Sequence, residues 1–162
     1  LQVVTSSGSQ NTCGLKVTVA AGDFSHVFIF YAAVSVPNFA TIAVGFTDNT
    51  KIEYCGIGSG STTSIATVTG TQAKATALTG GSLTAANGPS SYSLPLPNGA
   101  GPLFFRLSRT GTNLACDYSP DGQNFINLFN DTSPFLTASS LYFGGDPRGA
   151  AAISMGVLTS YN

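Results

Sequence analysis

Charge is what this chain has least of. Asp, Glu, Lys and Arg make up 8% of its 162 residues, against roughly 25% in an average soluble domain. Six basic residues against seven acidic ones leave a formal net charge of −1. No basic footprint for nucleic acid results, and no strongly electrostatic partner is expected. Low charge also removes a usual defence against edge-to-edge strand pairing. An assembly that covers the edges, such as a homo-oligomer, is therefore expected. Tryptophan is absent altogether, and with it the strongest platform for stacking on sugar rings or cations.

The chemistry-bearing residues are equally sparse. His26 is the single histidine, so any Ser-His-Asp or Cys-His relay would have to run through it. No nucleophile-elbow motif lies nearby, and a hydrogen-bonded histidine at the mouth of a strand is the expectation. One histidine also falls short of an ordinary zinc ligand set. The single glutamate, Glu53, has Lys51 and Cys55 as its same-face strand neighbours, and no two carboxylates stand at i, i+2. The carboxyl pair of a glycosidase is thus missing, and no catalytic residue is assigned. No calcium loop is spelled out, so neither metal nor cofactor is expected.

Cys13, Cys55 and Cys116 are an odd set without CxxC spacing, which argues against a disulfide framework. Cys55 and Cys116 sit in strand-like segments and are expected as buried free thiols. No apolar run reaches the ~18 residues of a membrane span, and no signal segment opens the chain. Membrane insertion is not expected. The start at Leu1 rather than Met suggests a processed product or a fragment of a longer polypeptide.

What is abundant is glycine, with 19 residues, together with serine, threonine and β-branched or aromatic residues. These suit pleated, half-buried surfaces and not helices. The clearest passage runs from Leu103 to Phe125. Phe105, Leu107 and Arg109 alternate with Phe104, Arg106 and Ser108 across a period-2 ribbon. Thr110-Gly111-Thr112-Asn113 reverses the chain, and Leu114, Cys116 and Tyr118 then share one face. Ser119-Pro120-Asp121-Gly122 turns it again, since proline presets one backbone angle and glycine accepts a positive one. Asp121 is read as an acceptor for turn amides and not as a ligand.

Further strands are predicted over 16–20, 26–34, 41–47, 51–57, 64–69, 140–144 and 151–158, with a hairpin turn at Asp48-Asn49. Residues 70–101 have weak periodicity, and one or two edge strands bordered by Pro95 and Pro97 are expected there. About eleven or twelve short strands indicate two packed sheets. The expected organisation is an irregular lead-in over 1–14 and a single all-β domain over 15–162, long enough for one core and too short for two.

The run Phe105-Arg-Leu-Ser-Arg-Thr-Gly111, followed by Tyr118-Ser-Pro-Asp-Gly-Gln-Asn-Phe125, resembles concanavalin A-like (laminin G-like) jelly-roll domains. Ala21–Ser25 (Ala-Gly-Asp-Phe-Ser) and Phe135–Thr137 (Phe-Leu-Thr) are similar to segments of the versions found in bacteriophage virion proteins. The likeness covers roughly residues 15–160. It departs at Phe125, where many relatives carry tryptophan. The resemblance implies an antiparallel β-sandwich, a carbohydrate-binding-type or structural module on a virion surface such as a tail fibre, spike or capsid decoration. The missing carboxyl pair and relay lead to the expectation that it is not an enzyme. Its partners would be other virion proteins and cell-surface glycans. Tyr54 and Tyr92, taken as loop tyrosines, and the polar loop residues Asp146 and Arg148 are the candidate glycan contacts. The plainer account of Asp146 and Arg148 is a solvated turn pair worth ~0–1 kcal/mol. Two alternatives stand behind this expectation. One is a purely structural capsid or tail cement domain that binds no sugar. The other, ranked last, is a secreted glycoside hydrolase of the same fold.

Overall fold

A computed structural model describes residues 2–4, 13–32, 41–58, 67–75, 93–95, 102–146 and 154–161. They form twelve strands: β1 (Gln2–Val4), β2 (Cys13–Thr18), β3 (Phe24–Ala32), β4 (Thr41–Thr47), β5 (Ile52–Gly58), β6 (Thr67–Ala75), β7 (Ser93–Pro95), β8 (Leu103–Thr110), β9 (Asn113–Ser119), β10 (Ile126–Asp131), β11 (Ser140–Asp146) and β12 (Ser154–Tyr161). Two antiparallel six-stranded sheets result, in the orders β1-β12-β3-β8-β9-β10 and β2-β11-β4-β5-β6-β7. The chain changes sheet at β1→β2, β2→β3, β3→β4, β7→β8, β10→β11 and β11→β12, the crossing pattern of a jelly-roll sandwich. Among the described residues no helix is long and apolar enough to cross a membrane.

Alternation in the sequence sets which side chains meet between the sheets. Ile42, Val44 and Phe46 of β4 pack with Phe28, Leu103, Phe105, Leu107, Leu114 and Cys116 of the facing sheet. Burying each such side chain contributes ~1.5–3 kcal/mol. β10 breaks the alternation: Leu128 and Phe129 are both buried, because the β9–β10 register shifts between Asn127 and Phe129. A bulge of this kind rotates the strand by one residue. The turns form as their residues predict. Asn49 takes φ 77° in the β4–β5 hairpin, and Gly111 and Gly122 take φ 60° and 75° after β8 and β9.

Three expectations need correction. Cys55 and Cys116 are buried in the core, as anticipated, but they are not free thiols. They form a disulfide that ties β5 of one sheet to β9 of the other. Their spacing of 61 residues carries no signature, because the bridge crosses between layers and not along a hairpin. The lead-in over 1–14 is not wholly irregular either. Gln2–Val4 pairs with β12, and β2 begins at Cys13 against β11. Tyr54, finally, is no loop residue: it lies inside β5 at 6% exposure. It belongs to a second apolar cluster with Ala43, Ile52 and Tyr142 on the outer face of its sheet. That face is turned away from the facing sheet, yet it is buried.

Candidate functional site

On the opposite sheet a polar row runs across β8, β9 and β10. In β8 and β9 the turn at Gly111 sets Thr110 against Asn113, and the same register sets Arg106 against Asp117. In β10, Asn127 then lies opposite Asp117 on its other side. Three polar side chains therefore stand in one row across three strands, on the face away from the core.

The row is hydrogen-bonded throughout. Arg106 Nε donates to Asp117 Oδ2 at 2.9 Å, and Asn127 Nδ2 donates to Asp117 Oδ1 at 2.8 Å and to the Phe129 carbonyl at 3.1 Å. The Arg106 guanidinium lies 4.2 Å from the centroid of the Phe125 ring, a separation at which the ring quadrupole attracts the cation. Asp117 is 8% exposed with both oxygens engaged, so it works as a fixed anchor. The Arg106 side chain is 38% exposed, and among the described residues its two terminal nitrogens meet no acceptor. With Arg106 reaching solvent, the pair stabilises the fold by only about 1 kcal/mol. Its effect is positional. It presents outward N–H donors, the Asn127 amide and the Phe125 ring edge in a preset arrangement beside Ile126, which is 46% exposed.

The turn beside the row is equally fixed. Asp121 accepts from the amides of Gln123 and Asn124 at 2.8 and 2.9 Å, from Asn124 Nδ2 at 2.8 Å and from Ser119 Oγ at 2.8 Å. The Asn124 amide and side chain, the Gln123 amide and the Ser119 hydroxyl hold its carboxyl well below the usual carboxylate range. Gly122 packs so closely under Phe104 that an added Cβ would come 2.9 Å from the ring. Asp121 is thus a turn acceptor, as expected. In the β4–β5 hairpin Asp48 behaves alike. Burial acts to raise its pKa, but bonds from the Thr50 hydroxyl and the Lys51 and Thr50 amides, with the Lys51 charge, lower it overall.

No proton-transfer pair emerges among the described residues. Glu53 is fully buried in β5 opposite Phe46, and Asp117 lies on the outer face of the other sheet. His26 is half-buried in β3 with its ring stacked on Phe24 at 5.4 Å. No three His, Cys, Asp or Glu side chains among the described residues converge on a point where a metal could sit. Of the expected contact residues, Tyr54 is buried, Asp146 ends β11, and Tyr92 and Arg148 lie outside the described residues. The Arg106–Asp117–Asn127 row was not singled out in the sequence. The signal was present, because a two-residue reversal at 111–112 fixes Arg106 opposite Asp117.

Neither a protein-family model nor a curated protein matches the sequence. Solved structures do match in fold. A functionally unknown protein from Saccharomyces cerevisiae aligns at TM-score 0.54 and 11% identity, over 99% of this chain and 87% of that one. A GH43 glycoside hydrolase with an engineered active site, displaying endo-xylanase and exo-arabinofuranosidase activity, aligns at 0.54 and 15% over 92% of this chain. This chain spans 34% of that enzyme's length. The CBM2 module of the evolved Dit of Lactobacillus casei BL23 phage J-1 aligns at 0.51 and 11%, over 91% of this chain and 66% of that one. At these identities the likeness is one of fold.

Proposed function

We propose that this chain is a non-enzymatic, glycan-recognising module of a bacteriophage virion surface. The row formed by Arg106, Asp117 and Asn127 with the Phe125 ring carries the reading. Sugar recognition requires fixed polar groups beside an apolar edge, and this row sets the outward N–H groups of Arg106 and the Asn127 side chain beside Phe125 and Ile126. The likeness to the phage Dit CBM2 module supports the phage setting at the level of fold. The Cys55–Cys116 bridge accords with a particle exposed to an oxidising exterior.

An array of host-surface and plant-type glycans tests the proposal. The expected result is binding that falls between about tenfold and a hundredfold in Arg106→Met, the equivalent of one lost charge-assisted hydrogen bond at ~1.5–3 kcal/mol. Methionine keeps the apolar stem over Phe125. No release of reducing sugar should accompany binding. Silence across the array, or hydrolysis, would overturn the reading.

The cement alternative is favoured by one observation. β2 is an edge strand, and its Leu15 and Val17 are 39% and 40% exposed. A virion protein that adds a strand there would cover both. Loss of particle stability in Val17→Lys, with glycan binding unchanged, would support that role.

A further inference from the structure

At the end of the sandwich, a cleft of about 320 Å³ opens between the β8–β9 turn and the connector after β10. It is lined by Gly111 and Thr112 of the turn, by Thr132, Ser133, Pro134, Leu136 and Thr137 of the connector, and by Arg109. We infer that this cleft is a second binding subsite, and that it takes a neutral saccharide unit. The inference rests on the glycan-binding reading above and deepens it.

Three observations carry it. The first is rigidity. Arg109 donates from Nε to the Gly22 carbonyl at 2.6 Å, from Nη1 to the Ala138 carbonyl at 2.7 Å, and from Nη2 to the Ala20 carbonyl at 2.9 Å and to that of Gly22. Its plane lies 4.8 Å from the Phe24 ring centroid. Lys51 holds the connector from the other side through the Phe135 carbonyl at 3.2 Å. A site fixed before the ligand arrives avoids the cost of ordering its loops.

The second is chemistry. The side chains of Thr112, Thr132, Ser133 and Thr137 are exposed, and among the described residues their hydroxyls have no hydrogen-bond partner. Each can both donate and accept, as a sugar hydroxyl requires. Pro134 and Leu136 supply an apolar patch for the C–H face of a ring. The volume lies at the lower end of ligand clefts, ~300–1,000 Å³, which suits one or two sugar rings and not a long chain.

The third is charge, and it selects neutral sugars over acidic ones. Arg109 brings a cation, but four of its five N–H groups are committed to carbonyls. Two carboxylates bond directly to the cleft walls: Asp23 accepts from the Gly111 amide at 2.7 Å and Asp131 from the Ser133 amide at 2.8 Å. Both carboxylates thus stand one hydrogen bond behind cleft-lining residues, where their negative charge disfavours an acidic sugar, and four of the five guanidinium N–H groups are already engaged.

The test uses the full chain against immobilised neutral hexose oligosaccharides and matched uronic-acid oligosaccharides. Thr132→Trp on the connector and Thr112→Trp on the turn each place a large side chain in the cleft from an exposed position, and melting curves show whether each variant is folded. We expect wild-type protein to prefer the neutral set, and either tryptophan to weaken that binding at least tenfold while Thr132→Ser retains it. Wild-type-like binding by both tryptophan variants, or preference for the uronic-acid set, would overturn the subsite alone. Absence of binding by the wild type to any member of either set would sink the glycan-binding reading and the subsite together.

Discussion

Removing the inter-sheet disulfide is the most quantitative perturbation available. The Cys55–Cys116 bridge closes a loop with a sequence separation of 61 residues. Chain-entropy arithmetic for a loop of that length gives ~4 kcal/mol of stabilisation through restriction of the unfolded chain. Both sulfurs lie in the packed core between β5 and β9, so a double Cys55→Ala, Cys116→Ala variant adds a small cavity to the lost constraint. For a chain of this size each 1 kcal/mol moves Tm by ≈ 2–4 °C, so the variant should melt roughly 10 °C lower. Scanning calorimetry of oxidised wild type, reduced wild type and the double variant measures this, and reduced wild type should melt well below the oxidised form and slightly above the double variant. Thiol titration in denaturant gives a second reading: one reactive thiol per chain, Cys13, before reduction and three after. Three thiols before reduction, or a double variant as stable as oxidised wild type, would refute the bridge.

Three further outcomes are expected. Asp48 and Asp121 have folded pKa values below their unfolded ones, so their stabilisation is present above the unfolded carboxylate value, near 3.9, and is lost as pH falls through the folded values. Urea midpoints should therefore drop on acidification below about pH 4, and Asp48→Asn with Asp121→Asn should flatten that slope. Arg109→Lys replaces a fork that reaches three carbonyls by a single ammonium, and should cost about 2 kcal/mol in urea unfolding. Gly56→Ala drives a Cβ into the Ile42 carbonyl and to 2.8 Å from Ala43 Cα. It should destabilise the sandwich by ~1–3 kcal/mol or prevent folding, visible as lost soluble yield or a lowered Tm.

Local patterning made some of this legible and long-range pairing hid the rest. The strand expected over 41–47 is β4 as found, and the reversals at Gly111, Gly122 and Asn49 follow from residues that tolerate positive φ. Strand-like surroundings and the usual burial of cysteine also placed Cys55 and Cys116 in the core. They could not place them toward each other, because nothing in a period of two says which strands of facing sheets cross. Tyr54 shows the converse difficulty. Alternation assigns it to the face away from Cys55, but whether that face meets water depends on what lies over the sheet. The Arg106–Asp117–Asn127 row falls between these cases. Half of it follows from a hairpin register that can be counted in the sequence, and half from β10, whose bulge sets where Asn127 lies.

Direct mapping of the contact by NMR tests the functional account most sharply. Titrating the ¹⁵N-labelled chain with any glycan that the array retains should shift the Arg106 Nε–H and Asn127 Nδ2 resonances first and most, with intact sugar recovered afterwards. Shifts confined to β4 and β5 around Tyr54, or cleaved sugar in the tube, would contradict it.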